Sequence, residues 1–231
     1  MPAVYFMISA THTRFARLIR RFGGTRYNHA SIALDPELKE LYAFARPNKN
    51  AVFLAHLIHE QLFYYSRGKY PCINVVIFKI DVSQEQYDEI RNIIHEVQED
   101  REYVYNLFSV LTYPVTRGFG VHKAFSCIEF AIYLLVKLGI CPAGELYRYK
   151  PDDLLRILEP YVWYTGNLLE YTGESGQPDP AYIAPLSLKL WLRSMIALQT
   201  VVWRSLFFRE QDPCVPPPDL HGLEPGVDAN A

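Results

Sequence analysis

The segment KAFSCIEFAIYLLVKLGI, residues 123–140, decides how the fold is interpreted, because it joins a single cysteine to a long apolar run. Ser126 precedes Cys127 as a suitable helix cap, and Glu129 falls in the first turn. The apolar run that follows has the length of a buried helix, and Gly139 can end it. The segment therefore predicts a core helix whose first turn carries a thiol.

The thiol of Cys127 has two interpretations. Free cysteines are among the most buried residue types, so a cysteine before an apolar run is more often a core residue. A helix N-terminus, however, favours the thiolate, and a neighbouring imidazolium favours it further. His29, in the strand-like run over residues 29–34, is the preferred partner; His122, in the glycine-rich loop before Cys127, is the alternative.

Composition narrows the class of protein. The chain has 231 residues, half of them hydrophobic, and a formal net charge of -2. This length and apolar content allow a sizeable core, and the near-neutral charge gives no reason to expect a nucleic-acid partner. The four cysteines are scattered without a Cys-x-x-Cys pair, and the first residues do not resemble a secretory signal. We therefore expect a cytoplasmic protein with free thiols.

Hydrophobic patterning predicts strands and helices over residues 1–170, which we expect to form a single domain. Strands are predicted at residues 3–9, 29–34, 41–45 and 73–83, and helices at residues 13–24, 84–100, 125–139 and 149–161. A Gly- and Pro-rich linker is predicted over residues 171–185, and RGFG at residues 117–120 is interpreted as a flexible connection. An amphipathic helix over 186–209 and a disordered tail over 210–231 complete the chain.

The helix at residues 186–208 has one polar stripe on an apolar cylinder. Lys189, Arg193, Thr200 and Arg204 form the stripe, and the segment contains no acidic side chain. Its three cations oppose a membrane-spanning position, at about 2.5–3.5 kcal/mol each near the bilayer centre. Two alternatives stay open: peripheral contact with a membrane surface, or docking on the domain or on a second subunit.

The order of three motifs resembles a known family. RYNHASIALD, followed about 100 residues later by FSCIEFAIYLLVKLGI and then by KPDDLLRIL, is similar to the circularly permuted bacterial branch of the NlpC/P60 papain-like superfamily. In that branch the histidine strand precedes the cysteine helix. The resemblance covers residues 3–165 and implies an α+β fold, in which an antiparallel sheet packs on helices.

The resemblance also implies a chemistry. Cys127 would be the nucleophile and His29 the base of a thiol hydrolase, of the cysteine peptidase or amidase type, that forms a thioester without a cofactor. The implied substrate is a peptide or an acylated small molecule, cut at an amide bond of peptide or cell-wall type. Relatives similar to lecithin retinol acyltransferase move acyl groups on lipids, so a membrane-associated acyl hydrolase or acyltransferase stays open. A ligand-binding protein without turnover is the third alternative.

One feature departs from the family pattern. Many permuted relatives carry an acid on the strand after the histidine strand, where this chain has Phe44. Two residues stay open as the one that would orient His29. Glu40 would lie on the same face of the strand as Phe44, and Glu60 is the more remote candidate.

Other polar residues near the motifs are weaker candidates. Tyr5, Ser126 and Glu129 are candidates for the substrate cleft, with core packing as the alternative for Tyr5. HLIHE, at residues 56–60, matches neither H-E-x-x-H nor H-x-x-E-H, so no metal site is expected.

Overall fold

The computed structural model describes residues 1–12, 25–207 and 209–210. The helix predicted over residues 13–24 lies outside the described residues. So does the predicted tail over 210–231, apart from its first residue.

A six-stranded antiparallel sheet forms the centre of the fold, in the strand order β4-β3-β2-β1-β5-β9. Its strands are β1 (Ala3–Ser9), β2 (His29–Ala33), β3 (Leu41–Ala45), β4 (His56–His59), β5 (Asn74–Asp81) and β9 (Val162–Asn167). All of β1 is buried because both faces of the sheet are covered. Its side chains alternate: Phe6 faces one apolar cluster, and Tyr5 and Met7 face the other.

Eight helices among the described residues surround the sheet. They are α1 (Phe63–Ser66), α2 (Gln84–Glu99), α3 (Leu107–Thr116), α4 (Cys127–Lys137), α5 (Pro151–Leu158), α6 (Leu168–Thr172), α7 (Pro180–Ile183) and α8 (Leu188–Phe207). The larger apolar cluster joins the sheet to α2, α4 and α5, and the smaller cluster joins it to α1 and α6.

A second small sheet has the order β10-β7-β8-β6. Its strands are β6 (Val104–Tyr105), β7 (Gly120–Val121), β8 (Ala124–Phe125) and β10 (Arg209–Glu210).

The α+β class and the antiparallel sheet packed on helices agree with the sequence analysis. The four predicted strands and the predicted helices at α2, α4, α5 and α8 are present with ends shifted by a few residues. The sequence analysis did not predict β4, α3 or β9.

The predicted linker over residues 171–185 and the RGFG segment at residues 117–120 both form hydrogen bonds to other parts of the domain. In the predicted linker, α7 is tied to Asn48, whose Nδ2 donates to the carbonyls of Ala181 and Ala184 at 2.7 and 3.1 Å. In the RGFG segment, the backbone N–H of Phe119 donates to Ser109 Oγ at 3.1 Å. Polar side chains from other elements thus satisfy backbone groups in both segments.

Helix α8 docks on the domain along one side, whereas Lys189 and Arg193 of its polar stripe are exposed. Ser194 and Val201 are buried, and Arg204 Nη1 donates to the carbonyl of Glu102 at 2.7 Å. The opposite, apolar side stays exposed, with Ile196 at 62 % and Trp203 at 57 % of their full accessibility. Within the described part of the chain, no helix is both long and apolar enough to cross a membrane.

Candidate active site

Helix α4 begins with a capping box that fixes the position of Cys127. The hydroxyl of Ser126 accepts from the backbone N–H of Glu129 at 3.2 Å, and the Glu129 carboxylate accepts from the backbone N–H of Ser126. Cys127 is therefore the first residue of the helix, where the backbone N–H groups of the first turn lack helical partners.

A buried polar pair below the thiol supports this helix start. Asn106 Nδ2 donates to Glu129 Oε1 at 2.9 Å, and Asn106 also caps α3. Burial raises the pKa of Glu129 to about 7, although the hydrogen bonds from Ser126 and Asn106 act in the opposite direction. Neither Ser126 nor Glu129 lines the cavity at Cys127. Their expected place in the substrate cleft is corrected, because the capping box turns both side chains toward the helix end.

His29, the first residue of β2, lies between the thiol and a carboxylate. It lies beside Cys127 in one cavity, and its Nε2 is 3.1 Å from each carboxylate oxygen of Glu60. With Nε2 held by Glu60, Nδ1 is the ring nitrogen left for the thiol. His29 thus lies between Cys127 and Glu60.

Glu60 directly follows β4 and is buried by its partners. Its Oε2 accepts from the hydroxyls of Ser31 at 2.7 Å and Tyr65 at 2.5 Å. Of the two acids considered for orienting His29, the structure brings Glu60 to the ring. Glu40 is exposed and lies in the turn before β3, so that candidate is corrected.

The position considered for an acid on β3 is part of the core. Phe44 packs edge-on against Phe125 and Phe130, with ring centroids 5.7 and 5.3 Å apart. The acid therefore reaches His29 from the end of β4, one strand further along the sheet.

The ionisation of His29 and Glu60 is coupled. Burial alone would lower the pKa of His29, but the negative charges of Glu60 and Cys127 outweigh burial and raise it well above its ordinary value of 6.5. Burial alone would raise the pKa of Glu60, but the charge of His29 and its hydrogen bonds lower it below 4.5. The geometry thus favours the charged form of both groups, an imidazolium that faces the Glu60 carboxylate.

Tyr105 on β6 is a further neighbour of the thiol. Its side chain lines the cavity with Cys127, and burial together with the nearby charge of Cys127 raises its pKa well above 10. The phenol therefore stays protonated and acts as a donor at neutral pH. The sequence analysis missed this residue, because an aromatic in a two-residue strand carries no distinguishing pattern.

These side chains meet at a cavity of about 130 Å³, a volume on the scale of a small ring-sized ligand. It is lined by Cys127, His29, Glu60, Tyr105, Phe44, Phe53, Arg46, Arg67, Tyr64, Tyr65 and Tyr182, among others. Tyr182 comes from α7, so the predicted linker forms part of the wall.

Two other candidates lie away from the cavity. Tyr5 belongs to the smaller apolar cluster, so its proposed place in the cleft is corrected, and the packing alternative describes it. His122 lies in the turn between β7 and β8 and does not line the cavity.

His59 Nε2 is 2.6 Å from the carbonyl of Lys39. Among the described residues, no three His, Cys, Asp or Glu side chains are grouped as metal ligands.

Comparisons with protein-family models, with curated proteins and with solved structures gave no match to this chain.

Proposed function

We propose that this protein is a thiol hydrolase of the circularly permuted NlpC/P60 papain-like type, acting on an amide bond of a peptide or acylated small molecule. One observation carries the proposal: Cys127, at a helix start, contacts His29, whose far ring nitrogen is held by Glu60. The histidine strand precedes the cysteine helix, and the antiparallel sheet packs on that helix, which supports the permuted arrangement.

The chemistry follows from these contacts. His29 takes the thiol proton, and the sulfur of Cys127 adds to the substrate carbonyl to form a tetrahedral intermediate. Backbone N–H groups at the start of α4, including that of Cys127, stabilise the oxyanion. His29 then gives its proton to the leaving amine, the C–N bond breaks, and a thioester remains. Water activated by His29 hydrolyses the thioester and restores the thiol.

An activated ester tests the proposal without knowledge of the natural substrate. We expect p-nitrophenyl acetate to release a burst of nitrophenolate, equal to at most one per protein, as Cys127 is acetylated. Peptide mass spectrometry should locate the acetyl group on Cys127, and Cys127→Ala should show no burst. Cys72→Ala, which removes an exposed thiol outside the cavity, is the matched control and should leave the burst unchanged. A burst of equal size in Cys127→Ala would refute the proposal.

A second candidate function is a lipid acyl hydrolase or acyltransferase at a membrane surface. Helix α8 favours it, because its exposed side carries Trp191, Leu192, Ile196 and Trp203, and Lys189 is exposed beside them. An apolar face flanked by cations is the pattern of a helix that lies in the interface of an anionic bilayer.

Sedimentation with phosphatidylserine-containing vesicles separates this candidate from an amidase that acts away from membranes. We expect Trp203→Ala to lower the vesicle partition coefficient about tenfold, the equivalent of roughly 1.5 kcal/mol for one large apolar side chain. Trp163→Ala is the matched control, since Trp163 on β9 is exposed to the same degree, 56 % against 57 % for Trp203. Equal partition of the two variants would contradict membrane contact through α8.

A further inference from the structure

Two arginines share the cavity with the thiol and the imidazole. Arg46 directly follows β3, and Arg67 directly follows α1. Both side chains are half-buried, so part of their hydration is removed. Arg67 has a left-handed backbone, with φ of 49°, a conformation that costs free energy in a residue other than glycine.

Neither guanidinium group is neutralised within the described part of the chain. Arg46 Nη1 donates to the carbonyl of Lys49 at 3.4 Å, and Arg67 Nη2 donates to the hydroxyl of Tyr182 at 2.9 Å. The Arg67 guanidinium also lies over the Tyr182 ring, 5.8 Å from its centroid. All of these partners are uncharged, and a guanidinium has five N–H donors, so most donors are left for a ligand.

The acids nearest to the cavity are engaged elsewhere. Glu60 accepts from Ser31 and Tyr65 and faces His29. Asp179 accepts from the hydroxyl of Tyr64 at 2.6 Å. The wall formed by Tyr64 and Tyr182, whose rings stack with centroids 4.2 Å apart, therefore contacts Arg67 through uncharged groups.

The two cations also act on each other. Burial and the positive charge of Arg67 lower the pKa of Arg46 below its ordinary value, although nearby tyrosines act in the opposite direction. A bound anion would offset both the burial and the repulsion. Guanidinium pairs bind carboxylate and phosphate through paired N–H···O bonds, which an uncharged ligand cannot match.

We propose that Arg46 and Arg67 form an anion subsite beside Cys127, so that the substrate is an acyl compound carrying a carboxylate or phosphate group near the reacting carbonyl. This inference rests on the proposed function, because it names the substrate class of the same cavity.

Paired alkylating reagents test the subsite without a known substrate. Iodoacetate and iodoacetamide attack the same sulfur and differ in charge, so the ratio of their rates at Cys127 reports the local potential. We expect Arg46→Gln and Arg67→Gln to lower this ratio about threefold to tenfold each, as expected for loss of one cation from the wall of the same cavity. Peptide mass spectrometry follows Cys127, and the exposed Cys72 calibrates each reagent in the same sample.

Two variants isolate the role of the subsite. Arg91→Gln removes one cation from α2, outside the cavity, and should leave the ratio unchanged. Arg67→Lys keeps the charge and should retain most of the ratio. An equal ratio in wild type, Arg46→Gln and Arg67→Gln would overturn the subsite, even with Cys127 fully reactive. Failure of the proposed function would give a different result. In that case His29→Ala would leave the rate of Cys127 alkylation by iodoacetamide unchanged. The iodoacetate-to-iodoacetamide ratio would still show whether the two arginines form an anion subsite.

Protection experiments identify the anion. Glutarate and inorganic phosphate are each added during alkylation by iodoacetamide, with glutaramide as the uncharged control. Slower alkylation of Cys127 with glutarate assigns a carboxylate substituent, and slower alkylation with phosphate assigns a phosphate. Protection by neither anion, or equal protection by glutaramide, would overturn the proposal.

Discussion

Replacing His29 with alanine is expected to slow acetylation of Cys127 by p-nitrophenyl acetate by about 10²–10⁴-fold, the usual contribution of a general base. The physical reason is the contact chain from Glu60 through His29 to the sulfur. Without the imidazole, the thiol loses both its proton acceptor and the positive charge that stabilises the thiolate. The initial rate of nitrophenolate release, measured for folded protein at neutral pH, gives the ratio directly.

His122→Ala is the control for this experiment. His122 precedes Cys127 by only five residues, yet it lies in the turn between β7 and β8 and does not line the cavity. We expect its replacement to change the rate less than twofold. A His122→Ala variant that loses activity while His29→Ala keeps it would reverse the assignment of the base.

Replacing Glu60 with alanine is expected to lower the free energy of unfolding by about 3–5 kcal/mol, the range for removing one partner of a buried ion pair. The change leaves the imidazolium of His29 without its counter-charge, and it leaves the hydroxyls of Ser31 and Tyr65 without their acceptor. Urea unfolding measures the loss. Glu40→Ala is the matched control, because Glu40 is an exposed glutamate of the same domain, and its replacement should change stability by less than about 0.5 kcal/mol.

The pH dependence of this loss distinguishes an ion pair from simple packing. The lowered pKa of Glu60 contributes stability above pH 4.5, and this contribution disappears as pH falls through the lowered pKa. The raised pKa of His29 contributes stability below pH 6.5, and this contribution disappears as pH rises through the raised pKa.

The difference between wild type and Glu60→Gln, which keeps the shape of the side chain, should therefore be largest between pH 4.5 and 6.5. It should shrink toward both acid and alkaline pH. A difference that does not change with pH would contradict the ion pair and assign Glu60 a packing role.

Part of the candidate site could be predicted from short-range patterns in the sequence. A cap, a cysteine and an acid in the first turn specify a helix start through short-range hydrogen bonds, and the structure forms that capping box. The choice between Glu40 and Glu60 could not be made in this way. It depends on β4 pairing with β3 in a register that sets Tyr42 opposite His59 and brings the following Glu60 to the edge at His29.

The residues that form the wall of the cavity could not be predicted from short-range sequence patterns either, because their positions also depend on distant contacts. Segment 171–185 has the composition of a linker, and its Gly and Pro content was interpreted as such. Its order comes from distant partners: Asn48 binds the backbone of α7, and Tyr64 binds Asp179. Arg46 and Arg67 likewise become candidate site residues only because the fold places both in the wall of one cavity.

The sequence by itself determined the main strands and a cysteine at the head of a buried helix, because each depends on periodicity and capping within a few residues. Only the tertiary structure decided which acid meets His29, that Tyr105 contacts Cys127, and that two arginines flank the thiol. Those relations join residues separated by tens of positions in the chain. Strand register and docking, which depend on the whole core, bring them together.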